Sequence, residues 1–159
     1  MSKSVRKHIV AVSIIATVGI LTAIAYSHCQ IPCGIYDDEA RFGEIAEHIT
    51  TIEKSMKEIE KLSTEAKPNM NQIVRWVNNK EHHADELSEI VTYYFMAQRI
   101  KLPEEGNTKE QNQYIKKLTL LHHMLVHAMK SKQTTDLANV LELRSLLDEF
   151  HKEYFGKAG

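Results

Sequence analysis

Phe42, Ile45, Ile49, Ile52, Met56 and Ile59 follow one another at steps of three, four, three, four and three residues. A half-buried strand alternates at every second residue. This spacing instead lays all six side chains along one stripe of a helix, and that stripe needs a partner surface to bury it. The pattern predicts a first helix from Asp38 that Pro68 ends. A second is expected from Asn71 to Arg99, with Ile73, Val77, Ala84, Leu87, Val91 and Tyr94 on one face; Pro103 and Gly106 break it. Thr108, with Gln111 three residues later, reads as a capping box for a third helix reaching about Lys130. Its expected inward face is Ile115, Leu118, Leu121, Leu125 and Met129. Thr134 or Thr135 is expected to cap a fourth, with Leu137, Val140, Leu141, Leu147, Phe150 and Tyr154 inward. Short connections make neighbouring helices antiparallel, so the predicted fold is all-α, an up-down-up-down four-helix bundle over residues 37–159.

Composition agrees with a single helical domain: 159 residues hold only 6 glycines and 3 prolines. A net charge of -1 gives no field suited to nucleic acid or to an anionic membrane surface.

The first 27 residues have the layout of a removable leader. Lys3, Arg6 and Lys7 precede an uncharged apolar run from Ile9 to Tyr26, and no acidic residue occurs before Asp37. Ala25 and Ser27 supply the small side chains a signal peptidase needs, which places the cut between Ser27 and His28. The run is also just long enough to span a bilayer if it were retained. Without Lys3, Arg6 and Lys7, 17 of the 20 basic residues remain against 21 acidic ones, so the shortened chain is mildly acidic and needs no membrane. The expected location is periplasmic or extracellular.

Both cysteines of the chain lie in the nine residues between leader and bundle, His28-Cys29-Gln30-Ile31-Pro32-Cys33-Gly34-Ile35-Tyr36. Cleavage before His28 would expose an α-amine whose ordinary pKa is near 8, so a metal can displace its proton. Amine, imidazole and two thiolates then crowd into six residues. The backbone amide of Cys29 could close a five-membered chelate ring with the amine. Amine, amidate and two thiolates suit a square-planar nickel(II) or copper(II) centre, with the imidazole axial. Zinc prefers a tetrahedral set. On compartment grounds alone, a small Cys29–Cys33 disulfide loop is the competing possibility.

The run His-Cys-x-x-Pro-Cys-Gly-x-Tyr directly after a removable leader resembles the metal-binding hook of the nickel superoxide dismutases. That family also carries its hook at the N-terminus of a four-helix bundle, and a Tyr94-Phe95 pair late in the second helix adds to the likeness. The resemblance implies a hook at residues 28–36 that holds one nickel ion per subunit. His28 would give its amine and, in the oxidised state, its imidazole; Cys29 its backbone nitrogen and thiolate; Cys33 the second thiolate. Tyr36 would stand over the open face and govern access, and Pro32 and Gly34 would shape the loop. The implied reaction takes two superoxide ions and two protons to dioxygen and hydrogen peroxide, with nickel cycling between +2 and +3. The resemblance also implies a homo-hexamer and a processing protease, and by family precedent a cytoplasmic location is possible.

The likeness departs from the family pattern at several positions. Gln30 stands where an acidic residue is common, and Asp37-Asp38 where Asp-Pro often follows the tyrosine. The first-helix glutamate that holds the axial imidazole aligns with Glu44, with Glu47 one turn away. The position nearest the family's inter-subunit arginine is His83.

The alternative reading is an anchored, exported helical bundle with a Cys29–Cys33 disulfide, or one that binds metal without turnover. His82, His83, His122, His123 and His127 read as solvated or core-edge histidines. No histidine has a glutamate three residues before it, which argues against a di-iron bundle.

Overall fold

The structure is a computed structural model and describes residues 37–156. The leader (1–27) and the hook (28–36) lie outside the described residues. Helix α1 spans Asp38–Ser63, α2 Met70–Glu89, α3 Thr108–Gln133 and α4 Ala138–Phe155. A π-helical segment, Ile90–Arg99, continues α2 without a break. Among the described residues there is no strand, and no helix is long and apolar enough to cross a membrane.

Each helix packs on its neighbours in a closed ring, α1 on α2 and α4, and α3 on α2 and α4. That is the four-helix bundle expected from the periodicity. The α1 stripe behaves as its spacing predicts, with Phe42, Ile45, Ile49, Ile52, Met56 and Ile59 all buried. Fully burying an Ile or Leu contributes about 1.5–3 kcal/mol, and the core repeats that gain along its length. One end of the core is aromatic. Phe42 stacks on Phe150 at 5.3 Å, and Phe95 meets both edge-on at 5.0 and 5.1 Å.

The other faces differ from expectation. On α3 the buried residues are Leu120, Leu121, Met124 and Ala128, while Ile115 and Met129 are about half exposed. On α4, Leu141 is exposed, as is about a third of Leu137 just before the helix, and Leu143 and Leu146 are buried instead. Apolar residues occupy much of the circumference of both helices, so periodicity alone leaves the rotation open. Contact with two neighbours then selects it. On α2, Ile73, Val77 and Tyr94 are only partly buried, and Phe95 is fully buried.

The helix ends also shift. α1 stops at Ser63 rather than running to Pro68, because no large apolar residue follows Leu62 before Met70 and Thr64 closes the last turn onto the Lys61 carbonyl. Asn107, not Thr108, caps α3, its side chain accepting from the Glu110 N–H. Before α4 it is Asp136, rather than a threonine, whose carboxylate accepts from the Ala138 N–H, while Thr134 accepts from Asp136.

A buried cation joins two helices at the end of the bundle away from the aromatic cluster. Lys80 on α2 is 3% exposed and donates to the carbonyls of Ser131 (2.6 Å), Lys132 (2.6 Å) and Thr134 (3.1 Å). These groups at the C-terminus of α3 have no partner within the helix. Burial pushes the Lys80 ammonium below its usual range.

Candidate metal centre

The ligands expected from the sequence, His28, Cys29 and Cys33, lie outside the described residues, as do Tyr36, Pro32 and Gly34. Asp37 follows them directly, and its side chain accepts from the Glu39 N–H at 3.0 Å to cap α1. An N-cap of this kind satisfies one of the four free amides of a first helical turn.

The next residue, Asp38, receives three donors from two distant parts of the chain. Tyr94 Oη donates to its Oδ1. Arg99 donates to Oδ2 at 2.5 Å, and Tyr154 Oη to the same oxygen at 2.8 Å. The π-helical segment makes the first two compatible. Five residues of α-helix would turn Arg99 about 140° from Tyr94, whereas a π turn pairs residue i with i+5. The Ile100 N–H bonding to the Phe95 carbonyl at 3.0 Å is one such turn. Arg41 and Arg99 lie against the Tyr94 ring, at 5.1 and 5.6 Å from its centroid.

Burial alone would raise the Asp38 carboxyl, but the hydrogen bonds from Arg99, Tyr94 and Tyr154 outweigh it and hold the group below its ordinary value. Burial, then the Asp38 carboxylate, pushes the Tyr94 phenol up to about 12. The cluster therefore keeps one protonation state, carboxylate with two neutral phenols, through the neutral range.

Glu44, Glu47 and His83 stand on α1 and α2. Glu44 pairs with Arg41 at 2.5 Å, and Glu47 is exposed. His83 is joined to His48 across the α1–α2 interface, with Nδ1 atoms 2.8 Å apart, so one ring donates and the other accepts. His48 and the Asp38 cluster escaped the sequence reading. His48 lies on the same helix face as Glu44, one turn on, but nothing in the local pattern points to a partner 35 residues away. His122 and His123 are exposed, and His127 Nδ1 is 3.1 Å from Asn139 Oδ1.

Burial, with the nearby His48 and His82, holds the His83 imidazole below its ordinary value of 6.5. On acidification through that value the unfolded chain takes up the proton first, so stability falls as pH drops. We expect the melting temperature to fall between about pH 7.5 and about pH 5.5, and His83→Gln to lose part of that fall. An equal pH dependence in variant and wild type would remove His83 from the effect.

No group of three His, Cys, Asp or Glu among the described residues could hold a metal ion. The only two cysteines of the chain stand in the segment 28–36, outside the described residues. The family described as nickel-containing superoxide dismutase matches residues 23–157, a range that includes the segment 28–36 and all four helices. The chain belongs to the nickel superoxide dismutase family. Comparison with curated proteins and with solved structures gives no match.

The protein is accordingly a nickel-dependent superoxide dismutase, an oxidoreductase with a nickel cofactor in each subunit and superoxide as substrate. Nothing supports the alternative of a non-catalytic anchored bundle. The residue types of the segment 28–36 fit the cofactor: soft thiolates and an imidazole nitrogen are donors that nickel accepts and that magnesium or calcium would refuse.

Proposed function

We propose that His28, Cys29 and Cys33 hold the nickel of this superoxide dismutase after the chain is cut between Ser27 and His28. The single observation that carries the assignment is the segment 28–36, which gathers both cysteines beside a histidine at the expected new terminus in a chain of the nickel-dependent family. Nickel held there would supply the one-electron redox chemistry by which superoxide and protons give dioxygen and hydrogen peroxide. The chain's own groups do the rest. The His28 amine, the Cys29 amide nitrogen and the Cys29 and Cys33 thiolates would hold the ion, the thiolates supplying anionic sulfur that favours the higher oxidation state. The Tyr36 hydroxyl would control access and hydrogen-bond water or an anion at the site. Pro32 and Gly34 would shape the loop.

Glu44, or Glu47 one turn away, with His83 at the position of the family's arginine, would support the His28 imidazole, in keeping with the general rule that a metal-bound histidine bonds to a second partner. The domain limits are a leader at 1–27, the hook at 28–36 and the bundle at 37–159. The leader's basic start and apolar core favour export, with a processing protease making the cut. Exposed apolar side chains such as Met70, Val74 and Leu102 give surface for a homo-hexamer of the family type.

The mass of the intact protein, taken from its own host under non-reducing conditions, tests this reading. A chain beginning at His28 with nickel bound, or with two free thiols, is the expected result. A chain that keeps residues 1–27 lacks the amine and defeats the assignment.

A further inference from the structure

We propose that Asp38 is a positioning residue for the metal hook: its carboxylate, held by Tyr94, Arg99 and Tyr154, fixes the chain two residues beyond Tyr36. The inference rests on the hook assignment above.

Three features separate Asp38 from an ordinary surface carboxylate. Its side chain is 17% exposed although it lies in the first turn of a helix. Its partners lie 56, 61 and 116 residues away, in the π-helical segment and near the end of α4. Its neighbour Asp37 caps the same turn through a different oxygen, so side-chain bonds to Asp37 and Asp38 tie down two successive residues.

A proline at position 38 would stiffen this turn through its ring. Asp38 stiffens it through three hydrogen bonds, two of them tied to the two aromatic side chains Tyr94 and Tyr154. Phe42 lies 5.6 Å from Tyr154, and Tyr94 lies edge-on to Phe95 at 5.2 Å, so the donors are themselves packed into the aromatic end of the core.

Other roles fit the site less well. A proton relay needs a group that changes state near neutral pH, and this cluster holds one state there. Attraction of superoxide needs net positive charge, and the Asp38 carboxylate offsets the Arg99 guanidinium that it binds. A rigid attachment is what remains, and the productive geometry of a metal site depends on such supports.

Asp38→Asn keeps the size of the side chain and removes its charge. Nickel-free D38N is expected to bind added nickel about tenfold more weakly than wild type. The electron paramagnetic resonance spectrum of the oxidised, nickel-loaded variant is expected to shift, while unfolding stays cooperative. Lys80→Met is the comparison, since it weakens the bundle at its other end and should leave nickel affinity and spectrum unchanged. Wild-type affinity and spectrum in D38N, even with lowered stability, would reduce Asp38 to a structural role and overturn the proposal. If D38N does not fold, Tyr154→Phe decides: it removes one donor, and about twofold weaker nickel binding is expected, whereas wild-type affinity and spectrum overturn the idea. Cys33→Ser keeps the two readings apart. Nickel binding by C33S at wild-type strength would count against the hook assignment and not against Asp38.

Discussion

Replacing Cys29 or Cys33 with serine is expected to abolish nickel binding and superoxide dismutation together. A serine hydroxyl stays protonated at neutral pH and is a hard donor, so it neither supplies the anionic charge nor matches the softness of nickel. Each replacement removes one of two thiolates, and no third cysteine exists to substitute for it. Folding should be untouched, because neither residue belongs to the helical unit that starts at Asp37. Substitutions away from packed features usually change stability by less than about 0.5 kcal/mol. The measurements are metal content after nickel loading, dismutase activity, and thermal unfolding followed by circular dichroism. Full nickel content in either variant would defeat the ligand assignment; loss of the helical signal would mean that the residue acts through the fold instead.

Lys80→Met should have the largest effect on stability without touching the chemistry. The methionine stem fills nearly the same space, but three carbonyls at the end of α3 lose the ammonium that binds them. Two effects oppose each other. Removing a buried charge relieves its desolvation, which is why replacing a buried ion pair by apolar residues is often neutral. Here only one partner leaves. The carbonyls stay, and their helix end is negative. Hydrogen bonds to charged groups are worth about 1.5–3 kcal/mol each, so after relief of desolvation the net loss is about 3 kcal/mol. For a domain of this size that lowers the melting temperature by about 10 °C. Activity per bound nickel should not change. A melting temperature equal to wild type would mean that water replaces the ammonium at the three oxygens.

The helical stripe of α1 is legible residue by residue because its apolar side chains form one narrow band among charged neighbours. α3 and α4 are less legible for the opposite reason. Leu118, Leu120, Leu121, Met124, Leu125 and Met129 together cover too much of the helix to name one face. The π-helical turn from Ile90 to Arg99 leaves no local mark, since each of its residues is also acceptable in an α-helix. Its effect is visible in the Ile100 N–H bond to the Phe95 carbonyl and in the pairing of Tyr94 and Arg99 on one carboxylate.

The family could be read from the sequence because the donors proposed for its nickel are neighbours in the chain. A chelate of amine, amide and two thiolates within six residues depends on residue order and on where the chain is cut, and little on what packs around it. The α1 seam is local in the same sense. Lys80 on the α3 carbonyls, His48 against His83 and Asp38 among Tyr94, Arg99 and Tyr154 join residues 35 to 116 positions apart. Such contacts form only after the bundle closes, when burial removes water as the alternative partner and each polar group must find another. The tertiary structure therefore decided which charged side chains became buried supports, and which of the apolar faces of α3 and α4 turned inward.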